Sequence, residues 1–188
     1  GREGAYAVPN GATAIYNKAF SDSKVTSVTL PATVRAIGSM AFNNCTGLTT
    51  ITLPRSVQAV YTAVFYGCTN LTSIQVDPAN PYLKSIDGVL FTADGESLLE
   101  YPVGKTGDYV VPDGVVYIEP YSFAGSSVGS VVIPDSVTEI GDYAFQYADS
   151  MTSVEIGDGV EVIPQQAFSG CGSLESVVIG NGVIEIYP

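Results

Sequence analysis

The sequence predicts a solenoid: short parallel β-strands stacked coil on coil and joined by short helical or irregular return legs. Three observations carry that reading. Near-identical stretches recur, CTGLTTITLP at 45–54, CTNLTSIQVDP at 68–78 and CGSLESVVIGN at 171–181. One hydrophobic position returns at Val8, Leu30, Leu53, Val76, Val111, Ile133, Ile156 and Ile179, in steps of 22 or 23 residues with a single step of 35. Twelve residues after most of these stands a phenylalanine (Phe20, Phe42, Phe65, Phe123, Phe145, Phe168), usually preceded by alanine.

Each part of the unit has a physical reading. T-I-T-L and S-V-E-I alternate polar and apolar residues, the period-2 mark of a half-buried strand. P-D-S-V and G-D-G-V are turn chemistry. V-x-x-I-x-x-x-A-F has three- and four-residue spacings, as expected of a short helical or irregular leg. One unit cannot bury its own apolar face, whereas about seven stacked coils of 22–23 residues form one continuous core over residues 1–188.

The 35-residue step contains an insertion at 77–109. Within it SIDGVLF and SLLEYPV read as strands joined through ADGE, which predicts a β-hairpin with a tight Asp94-Gly95 turn. A longer period is superimposed: residues 4–31 align without a gap to 107–134, an offset of 103. The second segment follows the insertion directly. The expectation is that an equivalent insertion precedes the first, so that the chain is a piece of a longer array.

Composition narrows the function. The chain of 188 residues has no histidine, which removes Ser-His-Asp and Cys-His catalysis and most zinc and iron ligand sets. No apolar run approaches the ~20 residues that span a bilayer. Net charge is −12, and all of it lies in residues 106–188, which hold twelve acidic residues and no Lys or Arg. Such a surface repels phosphate backbones and anionic membranes, so neither nucleic acid nor membrane insertion is expected; a basic protein partner fits better.

The combination of A-F, C-x-x-L-x-x-I-x-L-P and V-x-x-I-G, as in IGSMAFNNCTGLTTITLP (37–54) and IPDSVTEIGDYAF (133–145), resembles the BspA-like leucine-rich repeat family over nearly the whole chain. Val64 in place of the alanine and Ala148 in place of the cysteine are local departures. The resemblance implies a leucine-rich repeat solenoid, a right-handed superhelix with hairpin insertions. It also implies bacterial cell-surface or extracellular placement and an adhesive role.

Candidate residues follow from the unit. Cys45, Cys68 and Cys171 share one inward position with Ala148, which marks small buried free thiols; a disulfide between Cys45 and Cys68 is the alternative. Asp113, Asp135 and Asp158 share a turn position followed by Asn181, where Asp acts as a turn former; an oxygen-rich stack for calcium is the alternative. Tyr61, Tyr66, Tyr121, Tyr143 and Tyr147 surround the A-F segment, as edge-covering rings or as anchors for a partner. If Ile51 and Leu53 point inward, an outward face is made by Ser27, Thr29, Thr50, Thr52, Ser73, Gln75, Ser130, Val132, Ser153, Glu155, Ser176 and Val178. Small hydroxyls on it suit close strand stacking, and together they also offer a flat, hydroxyl-lined concave surface to a partner.

No catalytic, metal or cofactor residues are assigned. The expected function is a non-enzymatic protein-interaction module, monomeric, in a bacterial cell-surface or secreted protein that adheres to host or bacterial proteins. The alternatives are a structural spacer and an accessory carbohydrate-binding domain of a secreted hydrolase.

Overall fold

The computed structural model describes residues 2–188. Its eighteen strands are numbered in chain order and fall into two columns and an insertion. The first column holds β1 (Glu3–Ala7), β3 (Lys24–Thr29), β5 (Thr50–Leu53), β7 (Ser73–Val76), β11 (Gly107–Val110), β13 (Val128–Ile133), β15 (Ser153–Ile156) and β17 (Ser176–Ile179). The second holds two-residue strands, β2 (Ala14–Ile15), β4 (Ala36–Ile37), β6 (Ala59–Val60), β12 (Tyr117–Ile118), β14 (Glu139–Ile140), β16 (Val162–Ile163) and β18 (Glu185–Ile186). Between them the insertion supplies β8 (Leu83–Ile86), β9 (Val89–Thr92) and β10 (Ser97–Glu100). Ladder pairing within both columns is parallel throughout, and the chain makes about eight turns.

The return legs contain no helix among the described residues; of the two options the sequence offered, the irregular one is realised. The reason is a repeated backbone constraint. The residue two before each ladder phenylalanine has positive φ: Lys18 (58°), Met40 (56°), Ala63 (55°), Tyr121 (63°), Tyr143 (61°) and Gln166 (51°). A second such position lies two residues after it, at Asp22, Asn44, Gly67, Gly125, Tyr147 and Gly170. Left-handed residues at that spacing interrupt a right-handed helix in every coil.

Backbone hydrogen bonding then alternates along the leg. The Phe20 and Asp22 amides donate forward to Ala41 and Asn43 of the next coil, while Ala19, Ser21 and Ser23 donate back three residues within their own leg. The same interleaving recurs at Phe42, Phe123 and Phe145, so the leg's polar backbone is used without helix or sheet.

Aromatic rings run along the axis as two stacks. Phe20, Phe42 and Phe65 lie 4.9 and 5.5 Å apart. Tyr101, Phe123, Phe145 and Phe168 follow at 4.9, 4.8 and 5.2 Å. Tyr101 belongs to the insertion, so the insertion contributes a turn of its own to the ladder.

The hairpin expected through ADGE is present as β9–β10, with Gly95 at φ 88°. A second hairpin precedes it. The strand-like run SIDGVLF folds back on itself at Asp87 (φ 49°) and Gly88 (φ 79°), pairing β8 with β9 antiparallel. Asp-Gly with both residues in the left-handed region is the turn a two-residue hairpin requires.

The 77–109 segment is therefore a three-stranded meander rather than a single hairpin. It is also built into the core. β9 is buried on both faces: Leu90 joins the core of the first coils, while Val89 and Phe91 join that of the later ones. β10 pairs parallel with β12 and takes its turn in the second column.

Candidate interaction face

Alternation in the first column places the predicted face as the pattern requires. Val28, Ile51, Leu53, Ile74, Val131, Ile133, Val154 and Ile156 are buried. Their neighbours Ser27, Thr29, Thr50, Thr52, Gln75, Glu155, Ser176 and Val178 are exposed, and Ser73, Ser130, Val132 and Ser153 are half-buried. Parallel pairing fixes the columns: Thr50 sits beside Ser73 and Thr52 beside Gln75. Ser130, Ser153 and Ser176 form one row, and Val132, Glu155 and Val178 the next. A hydroxyl row in parallel register packs closely because nothing bulky has to be accommodated between strands ~4.8 Å apart.

The face is not continuous. The Ile74 amide donates to the Gly88 carbonyl at 2.8 Å, and the Ser85 hydroxyl donates to the Ile74 carbonyl at 2.6 Å. The β8–β9 turn thus occupies the edge of β7 where the next column strand would lie. A Cβ on Gly88 would come within 2.7 Å of Ser73 Oγ, so only glycine allows that approach. The column is left in two blocks, hydroxyl-rich before the insertion and mixed Ser, Val and Glu after it. A further opening separates β3 from β5, a groove of about 470 Å³ whose lining includes Ser27, Thr29, Thr50, Thr52, Pro54 and Asp77.

The other candidates find structural partners. Cys45 and Cys68 are buried free thiols, and Cys171 is free but only half-buried. Each donates to the carbonyl of the preceding coil's phenylalanine: Cys45 to Phe20 at 3.0 Å, Cys68 to Phe42 at 2.9 Å, Cys171 to Phe145 at 3.1 Å. The Cys68 thiol is held well above the ordinary thiol range by its hydrogen-bonded neighbour Cys45 and by burial. Ser23 and Ser126 occupy the same column and are buried too. The cysteine position is therefore a small-residue slot beneath a carbonyl.

From Asp135 onward the aspartate row is a ladder of caps. Asp135 accepts the Asp158 amide at 2.8 Å, and Asp158 accepts the Asn181 amide at 2.7 Å. Those oxygens serve the backbone, and no cluster able to hold a metal occurs among the described residues. Among the tyrosines, Tyr121 and Tyr143 stack at 4.9 Å, Tyr66 lies over Gly125, and Tyr61 and Tyr147 are exposed.

Two polar residues of the insertion carry structure that the repeat pattern does not signal. Asn80, 8% exposed, donates to the Pro54 and Val57 carbonyls and accepts the Tyr82 and Leu83 amides, stitching the insertion to the preceding turn. Glu100 is buried at 3% exposure, and burial raises its carboxyl to about 8.

A family model described as BspA type leucine rich repeat region matches in six copies, over residues 6–98 and 103–188. The chain belongs to that family. No match was found among curated proteins.

Solved structures share the fold. A leucine rich cell surface protein from Faecalibacterium prausnitzii is 24% identical with a TM-score of 0.66, covering 94% of this chain and 59% of that one. The pneumococcal vaccine antigen PcpA is 23% identical with a TM-score of 0.74, covering 95% and 59%. A leucine-rich repeat protein from Eubacterium ventriosum is 20% identical with a TM-score of 0.69, covering 98% and 66%. The chain thus spans 59–66% of the length of these structures. No helix among the described residues is long and apolar enough to cross a membrane.

Proposed function

We propose that this BspA-type chain is a non-enzymatic protein-interaction module of a bacterial cell-surface or secreted protein, and that it adheres through the outward face of its first column. The observation that carries the reading is the set of in-register rows of mostly small, exposed or half-exposed side chains on parallel strands, in two blocks. Such a rigid, flat surface costs little entropy to dock against. The name of the Faecalibacterium structure, a cell surface protein, supports the placement. The exclusively acidic 106–188 segment, with Glu155 exposed on the face, favours a basic partner and speeds its encounter.

The test is capture of extracellular-matrix and bacterial-surface proteins on the immobilised chain at low salt and at ~0.5 M salt, where the Debye length falls to about 4–5 Å. Saturable binding that weakens with salt, and that falls at least about tenfold in Thr52→Arg/Glu155→Arg, supports the proposal. No binder at either salt overturns it in favour of a spacer.

A further inference from the structure

In a regular coil the amide of the ladder phenylalanine donates to the carbonyl just before the next coil's ladder aromatic: Phe20 to Ala41, Phe42 to Val64, Phe123 to Ala144. For Phe65 the next ladder aromatic is Tyr101, and the residue before Tyr101 is Glu100. Its side-chain carboxyl accepts the amides of both Val64 and Phe65. Tyr101 itself resumes the regular pattern, donating to the Ser122 carbonyl at 2.7 Å. At this ladder position the joint between the first coils and the insertion is thus closed by a buried carboxyl, where every other joint uses a backbone carbonyl.

The next interface along, between Tyr101 and the Phe123 leg, is the least satisfied part of the core. Ser122 Oγ, Ser126 Oγ and Tyr109 Oη are buried without a hydrogen-bond partner, and all three belong to the segment that packs on Tyr101. Among the described residues no Lys or Arg forms an ion pair with Glu100. The Cys68 thiol, on the leg it packs against, feels its charge. β9 and the Ser122–Ser126 leg present no ionisable side chain, and Glu119, whose amide donates to the Leu98 carbonyl, is half-exposed.

We propose that Glu100 is an acid-tightened latch: protonated, it holds the insertion onto the third coil, and when it ionises the joint opens locally at Val64–Phe65. A carboxylate without a counter-ion costs more to bury than a neutral carboxyl, so ionisation favours the open, hydrated joint. With the closed-state carboxyl at about 8 and the ordinary value at 4.5, the closed joint binds the proton more tightly. The latch is fully closed below about pH 4.5, loosens up to about tenfold per pH unit between those values, and changes no further above pH 8.

The experiment is amide hydrogen exchange at about pH 5.5 and about pH 7.5, corrected for intrinsic exchange, with the Phe145 amide as an internal reference. The expected result is a rise of up to about 100-fold in opening at Val64 and Phe65 relative to Phe145, abolished in Glu100→Gln, which stays neutral. Val64 and Phe65 tracking Phe145 at both values, or an unchanged rise in Glu100→Gln, overturns the latch. Should Glu100→Gln fail to fold, the Glu100 Cδ chemical shift of the unsubstituted protein decides the matter. A midpoint in the ordinary carboxylate range overturns the proposal.

Discussion

The Cys68 thiol donates to the Phe42 carbonyl 2.9 Å away in the preceding coil, and Cys45 does the same to Phe20 at 3.0 Å. A side chain thereby supplies one more rung between coils, from a slot where Ser23, Ser126 and Ala148 serve elsewhere. Substitution to the sizes already present in that slot is therefore tolerated: Cys68→Ala lowers stability by about 1 kcal/mol, the value of one modest hydrogen bond plus a small volume loss. Urea unfolding measures it. Thiol reagents modify Cys171 in the folded chain well before Cys45 and Cys68, which react at the rate of unfolding.

Phe145 lies between Phe123 at 4.8 Å and Phe168 at 5.2 Å and is fully buried. Phe145→Ala removes both stacking contacts and leaves a cavity in the axis of the array, a loss of about 3–5 kcal/mol by chemical denaturation. Phe168→Ala costs less, because Phe168 is only partly buried.

Asn80 satisfies four backbone groups at once, so Asn80→Ala strands the Val57 carbonyl and the Tyr82 and Leu83 amides near the core, while the Pro54 carbonyl keeps the Val57 amide. The expected loss is about 2–4 kcal/mol. Hydrogen exchange locates it, with protection falling at Tyr82 and Leu83 and remaining at Phe145.

Ala63 is 4% exposed and sits at φ 55°, where a Cβ is strained. Ala63→Gly relieves that strain, and despite the larger entropy of the unfolded glycine it raises stability by about 0.5–1 kcal/mol. A higher urea midpoint is the readout, and an unchanged or lower one contradicts the assignment of strain.

Much of this was legible in the residues. The strand alternation, the phenylalanine ladder and the outward row from Ser27 to Val178 follow from a pattern repeated often enough that each coil corroborates its neighbours. The 103-residue offset is legible too: β2 at Ala14–Ile15 is matched by β12 at Tyr117–Ile118. The Asp87-Gly88 turn was also signalled, but an Asp-Gly pair inside an apolar run reads as part of the strand when Asp94-Gly95 offers a second turn seven residues later. The left-handed positions were concealed because Lys18, Met40 and Tyr121 are not turn formers; the coil stacking imposes their φ. Asn80 and Glu100 carry no local signal at all. Their roles depend on which backbone groups the insertion leaves unpaired, a property of the assembled coils.

The partition made by β9 has a mechanical consequence. The coils on either side belong to separate hydrophobic cores, with Leu90 in one and Val89 and Phe91 in the other. Under tension along the axis the interfaces between coils are loaded in series, so extension concentrates at the weakest. The regular ladder of backbone bonds is broken at the interface closed by the buried Glu100 carboxyl, and the next interface along holds the unsatisfied hydroxyls, so yielding is expected there first. A stretched molecule therefore yields in steps, parting first at this internal fuse while the coils on both sides keep their shape.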